Sequence, residues 1–239
     1  MNIGSYAYEE YVHLVKSFHG SLAPGLLIGG FMVDLALKNL PEGEFFDAIC
    51  ETPTCLPDAV QLLTPCTIGN GWLTVLPFGR FAVSLYEKTG GRGVRVYLDM
   101  EKLKAWDEVH AWYLKRKKKH EQDSERLMSQ IKEAGHGLLS VQRVRVEPET
   151  LRRRKLGPVA VCPVCGEAYP ARHGERCRGC QGEAPYLEIK NMEAPIHRPG
   201  ETPPSGHWKR RTGRTRDFGN HPDRRERGRT ISSWVQSGI

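Results

Sequence analysis

The chain has 239 residues, 39% of them hydrophobic and 26% charged, with a net charge of +7. This supports one core domain and a smaller module, and excludes a chain that is disordered throughout. From Ile196 onward there are 10 Lys/Arg and 4 Asp/Glu, hence +6, against 25 and 24, hence +1, in the first 195 residues. A basic-protein argument for nucleic acid therefore attaches to the tail alone.

The opening MNIGSYAYEEY carries Glu9 and Glu10 where a basic leader would lie, so no signal peptide is expected. Tyr8, Tyr11, Val12, Val15 and Phe18 recur at helical spacing within Tyr6 to His19. GSLAPG breaks that pattern, and Pro24 suits the first turn of a second helix. Leu26 to Leu37 is apolar on nearly all sides, which predicts a buried helix. Gly25 and Gly29 lie four apart on one of its faces and predict a close helix–helix contact. The longest apolar run, Leu22 to Val33, has twelve residues and stops at Asp34, against roughly 20 for a bilayer span. No membrane association is expected. The expected compartment is the cytoplasm, where thiols stay reduced, so the seven cysteines point to metal before disulfides.

Glu44 to Cys50 reads as a strand and Pro57 to Leu63 as a short helix with Asp58 in its first turn. Gly71 to Pro77 and Arg80 to Tyr86 read as strands, and the turn KTGGRG joins the latter to VRVYLD in a hairpin. Met100 to Lys115 and His120 to Ala134 read as helices, the second closed by Gly135. Leu138 to Val146 alternates as a strand. Strands and helices mix without a βαβ rhythm, so the expected fold class is α+β: a core domain, residues 1–150, of helices packed on a β-sheet. A linker (151–158), a small four-cysteine zinc-finger module (158–190) and a basic Pro/Gly/Arg-rich tail (191–239) follow. The tail is expected to be disordered or ordered against a partner or a second copy of the chain.

Cys162 and Cys165, then eleven residues, then Cys177 and Cys180, form two CxxC knuckles. Each offers two sulfurs to one metal, and together they close a tetrahedron, which predicts a structural zinc. Metal ligation, about 10–16 kcal/mol in small zinc-finger peptides, would supply the folding energy of a module with almost no apolar core. His173 lies between the knuckles, is surplus to four ligands and is expected to be exposed.

Cys50, Cys55 and Cys66 lie in the core. Cys50 follows the apolar EFFDAI and reads as a small buried hydrophobe. Cys55 and Cys66 sit at turns that bracket PDAVQLL, and a thiolate near a helix N-terminus is stabilised there. His19, in the break between the first two helices, would add an imidazole, and a His-Cys-Cys set with one open position suits zinc. Buried thiols and a satisfied histidine are the bland alternative.

SFHGSLAPG and CLPDAVQLLTPCTIGNGWLTV, followed by the four-cysteine module, resemble the FmdE family, named for a component of formylmethanofuran dehydrogenase, over about residues 5 to 185. The resemblance implies an α+β core, often dimeric, with a treble-clef-like finger after it. It matches His19, Cys55 and Cys66 to motif positions, with Asp58 and Gln61 on the polar positions between. The family's first motif often reads FHGH and then Cys-Pro-Gly, whereas this chain has Ser21 and Ala23. The core set is then at most His19, Cys55 and Cys66, with Asp58 behind them. The function implied is a metal-binding accessory protein associated with a molybdopterin (Mo/W) oxidoreductase or its maturation, acting as a homodimer. The alternatives are a zinc-dependent enzyme with an open His-Cys-Cys site, or a nucleic-acid-binding regulator using the finger and tail. No base, phosphate loop or nucleotide fingerprint marks an enzyme.

Overall fold

The computed structural model describes residues 1–40, 45–147, 149 and 157–186. The expectations for the tail and for most of the linker lie outside them. A two-stranded ribbon opens the chain, β1 (Asn2–Ile3) against β2 (Tyr6–Ala7), turning at Gly4. The Gly4 N–H donates to the buried Asp34 carboxylate (2.9 Å), which ties the ribbon to the second helix.

Helix α1 spans Tyr8–His19 and α2 spans Pro24–Asn39. Gly20 ends α1 in the left-handed region (φ 83°), its N–H donating to the Lys16 carbonyl, so His19 is the last helical residue. Pro24 starts α2, which is buried on nearly every side, as its composition predicts. The Tyr11 ring lies against Gly30 and its hydroxyl donates to the Leu26 carbonyl (2.9 Å), fastening α1 to α2.

The sheet has the order β4-β3-β5-β6-β7, with β3 Phe46–Cys50, β4 Leu73–Val75, β5 Ala82–Glu87, β6 Arg92–Leu98 and β7 Leu139–Arg145. Helix α3 (Leu56–Leu63) crosses from β3 to its parallel neighbour β4, and the other pairings are antiparallel. Helix α2 packs over β5 and β6 and carries α3 along its side. Phe31, Met32, Leu85, Val94 and Val96 fill the core between the layers. Glu51, just past β3, is nearly buried and paired with Arg95 (2.6 and 2.9 Å) and Arg80 (2.6 Å), so the end of β3 is pinned where the chain turns toward α3.

Two helical expectations needed correction. The reading of one helix over 100–115 gives way to α4 (Met100–Leu103) and α5 (Asp107–Tyr113). Asp99 caps α4 by accepting from the N–H groups of Glu101 and Lys102, and the Trp106 N–H folds back onto the Leu103 carbonyl, which breaks the run. Helix α6 is Ser124–Ala134, starting later than His120, because Asp123 caps it through the Arg126 N–H (3.0 Å). The fold class is α+β as read. Among the described residues no helix is long and apolar enough to cross a membrane.

The glycine face of α2 is the contact that places the rest. A Cβ on Gly29 would lie 2.9 Å from the Ala59 Cβ, and one on Gly25 would lie 3.0 Å from the Cys55 Cβ. Both glycines let α3 approach to backbone distance. Gly29→Ala is expected to push α3 off α2 and lower stability by about 1–3 kcal/mol, the usual cost of overpacking. Urea unfolding followed by far-UV circular dichroism measures it, and an unchanged midpoint would refute the close contact.

Candidate metal centres

The finger begins with an antiparallel hairpin, β8 (Val159–Val161) against β9 (Ala168–Pro170). Knuckle turns follow each CxxC, and Gly166 (φ 77°) and Gly182 (φ 100°) take the left-handed backbone those turns need. The ligand atoms of Cys162, Cys165, Cys177 and Cys180 all lie within 4.8 Å of one another. A zinc with bonds of ~2.3 Å needs tetrahedral sulfur–sulfur edges of about 3.8 Å, and Cys165 Sγ lies 3.7 Å from Cys177 Sγ. Backbone N–H groups face the sulfurs, from Cys177 to Cys162 Sγ (3.5 Å) and from Cys180 to Cys177 Sγ (3.4 Å). The first of these is the main reason the Cys162 thiol is pulled down to about 6, toward the thiolate a metal requires. The donor set, its spacing and its amide donors fit a closed structural zinc. His173 is not a member and is half-buried rather than exposed, its carbonyl accepting from Gln181 (2.8 Å).

In the core, the loop from β3 delivers Cys55 to the start of α3. Thr52 and Thr54 hydroxyls bond each other (3.1 Å) and set the loop. Cys55 has φ 58° and ψ −51°, and the Leu56 N–H donates to the Thr54 carbonyl at 2.6 Å. This is a γ-turn of the rare positive-φ kind, strained for any residue with a side chain. The sulfur is half-buried against the first turn of α2, where a Cβ on Gly25 would come within 3.1 Å of it. Burial raises the Cys55 pKa, and the Asp58 carboxylate raises it further.

Asp58, in the first turn of α3, accepts from His19 Nδ1 at 2.8 Å, and each side chain is about a third exposed (31%). A carboxylate only accepts, so in the neutral imidazole Nδ1 carries the proton and Nε2 keeps its lone pair. That is how outer-shell carboxylates orient metal-binding histidines. Phe81 reaches the same place, with its Cζ 3.6 Å from the Gly25 Cβ position, and Tyr113 crosses it edge-on with ring centroids 6.3 Å apart. Neither aromatic carried a sequence signal, since both come from distant segments.

Cys66 does not join this group. Its sulfur is buried at the other end of α3 and faces the Phe46 carbonyl (3.6 Å). An eight-residue helix, ~12 Å long at 1.5 Å per residue, stands between the two cysteines. The expectation that His19, Cys55 and Cys66 grip one ion is corrected on that ground. Among the described residues, the finger cysteines alone form a set of three or more mutually close ligand atoms. Burial pushes the Cys66 thiol up to about 11, and Cys50, close to it and equally buried, up to about 12. Cys50 is a packing residue, as read. Gln61 accepts from the Ile68 N–H (3.3 Å), and Asn70 accepts from the N–H groups of Thr67 and Trp72 while donating to the Pro65 carbonyl. The TPCTIGNG stretch is therefore a loop clamp, and its polar residues serve architecture.

A family model described as "FmdE, Molybdenum formylmethanofuran dehydrogenase operon" matches residues 18–146, and one described as "FmdE treble clef zinc finger" matches residues 153–187. The chain is 60% identical to a solved protein of Syntrophus aciditrophicus, described as like FmdE of a tungsten formylmethanofuran dehydrogenase. The superposition has a TM-score of 0.73 and covers 78% of this chain and 98% of that one. The chain is also 30% identical, over 189 residues, to a protein of Archaeoglobus fulgidus described as a probable S-adenosyl-L-methionine-binding protein. That match covers 74% of this chain and 49% of the relative, so the chain spans about half the length of the curated relative it matches.

Two outcomes follow from these geometries. Cys177→Ser combined with Cys180→Ser is expected to remove one zinc per chain, read by atomic emission, and to leave the core's circular dichroism intact. Above the ordinary thiol value of 9.0, folded Cys50 and Cys66 keep protons that the unfolded chain releases. Their contribution to stability is therefore full below about pH 9 and declines as pH rises through about 11 and 12. Urea midpoints at about pH 8 and about pH 10.5 should show that decline, and Cys50→Ala should shrink it.

Proposed function

The chain belongs to the FmdE family, and from that premise we propose that it is a metal-binding accessory protein of a molybdenum or tungsten oxidoreductase. The observation that carries the reading is the His19–Asp58 pair set beside Cys55 at the start of α3. One imidazole nitrogen with a free lone pair and one sulfur offer a metal two protein donors. That leaves the other positions to water, to a ligand or to a recipient protein. A site of so few donors suits transient holding, unlike the closed four-sulfur finger. The close packing of the Cys55 sulfur on Gly25 supports the same reading, because a side chain held by its neighbours loses little freedom when it binds. The finger serves as a rigid docking module, and the protein acts as a homodimer.

The partner is inferred from its relatives' descriptions. The family description names a molybdenum formylmethanofuran dehydrogenase operon, and the relative at 60% identity is described as like a component of the tungsten enzyme. Those words concern the relatives, and they support the class of partner proposed for this chain.

The test is metal stoichiometry together with partner capture. Wild type should bind more than one metal per chain. His19→Ala with Cys55→Ser should lose one and keep the finger's, and affinity capture from the native cell should then recover less of a Mo/W oxidoreductase. Unchanged metal content and unchanged recovery in the double variant would overturn the proposal.

A further inference from the structure

We propose that the loop after α5, residues 115–120, binds the phosphate backbone of a single-stranded nucleic acid. Lys115, Arg116, Lys118, Lys119 and His120 are all exposed there within six residues. Among the described residues, no carboxylate lies within 4.0 Å of the charged groups of Lys115, Arg116, Lys118 or Lys119, while His120 stands 3.7 Å from Glu121. The near-neutral balance of the first 195 residues hides this concentration.

The loop is built to hold its shape. Lys117 turns inward to pair with the buried Glu108, and its carbonyl accepts from Gln122 (3.2 Å). The Lys118 N–H donates to Glu121 (2.9 Å), which occupies that carboxylate, and the neighbouring Asp123 is occupied in capping α6. Glu125 is exposed on the first turn of α6, and it, Glu121 and Asp123 are the acids within 115–125, against the five Lys/Arg of 115–119. The cations are therefore presented on ordered backbone.

Lys115 supplies the second observation. The Arg116 N–H donates to the Ala111 carbonyl (2.9 Å) and the Lys115 N–H to that of Trp112 (3.1 Å), the paired bonds of a Schellman helix end. Lys115 sits at its left-handed position with φ 54°, where glycine is unstrained and lysine is not. The chain keeps a cation at a position where backbone preference favours glycine.

Phosphate fits this surface better than an acidic protein face. Three of the four unpaired cations are lysine, a residue depleted at protein interfaces but effective as a point charge on phosphate. Trp112 and Tyr113, in the last turn of α5, are partly exposed while packed on the core, and aromatic side chains beside a cationic surface are where unpaired bases stack.

The test uses the full chain and a fluorescently labelled oligouridylate, titrated by anisotropy between about 50 and 200 mM salt. Wild type should bind with a steep salt dependence. Replacing Lys115, Arg116, Lys118 and Lys119 together by Gln should reduce the slope of log K against log salt by about three, at ~0.7 per phosphate contact. Lys115→Gly should reduce it by about 0.7 without lowering the melting temperature, which separates lost binding from lost folding. No binding by wild type, or a slope unchanged by the fourfold replacement, would overturn the proposal. Loop-dependent binding of labelled polyglutamate as tight as that of the oligouridylate would overturn it in favour of an acidic protein partner.

Discussion

The approach of α3 onto the glycine face of α2 is the constraint on which the core site depends. Gly25 and Gly29 leave no side chain between the helices, and Ala59 and Cys55 occupy the space. That closeness brings the first turn of α3 beside the end of α1, where Gly20 has stopped the helix with His19 as its last residue. Asp58 can then reach His19, and the γ-turn at Cys55 sets the sulfur at the same helix start. A helix pair held apart by one methyl layer would put the imidazole and its carboxylate out of hydrogen-bonding range.

The two cysteine-rich regions solve different physical problems. In the finger, four sulfurs and the amides that face them stand where a hydrophobic core would, and a metal held by them would supply the fold's main attraction. The α+β core has ample apolar packing, so its cysteines are free to differ in role. Cys50 and Cys66 are kept neutral by burial in that packing. Cys55 stands half-buried on a strained turn at the start of α3, packed against Gly25 of α2 and close to Asp58.

Much of this was legible in the letters. The two CxxC knuckles determine their own geometry, because the bite of each turn is local and the metal's preference does the rest. Helix α1, its stop at Gly20, the start of α2 at Pro24 and the glycine contact all follow from short-range pattern and backbone sterics. The breaks around α4, α5 and α6 were less legible, since Asp99 and Asp123 compete as caps against a continuous helical pattern.

The sequence by itself determined the fold class and the finger, and put forward His19 and Cys55 as candidates. Only the tertiary structure decided their company. It joined Asp58 to His19 and sent Cys66 to the far end of α3. It also gathered the aromatic pair of Phe81 and Tyr113 at the site, and turned Lys117 inward while its neighbours face water. The physical reason is that cysteines flanking a helix in sequence are separated in space by that helix's rise. Partners across 39 residues, by contrast, are chosen by how two helices pack.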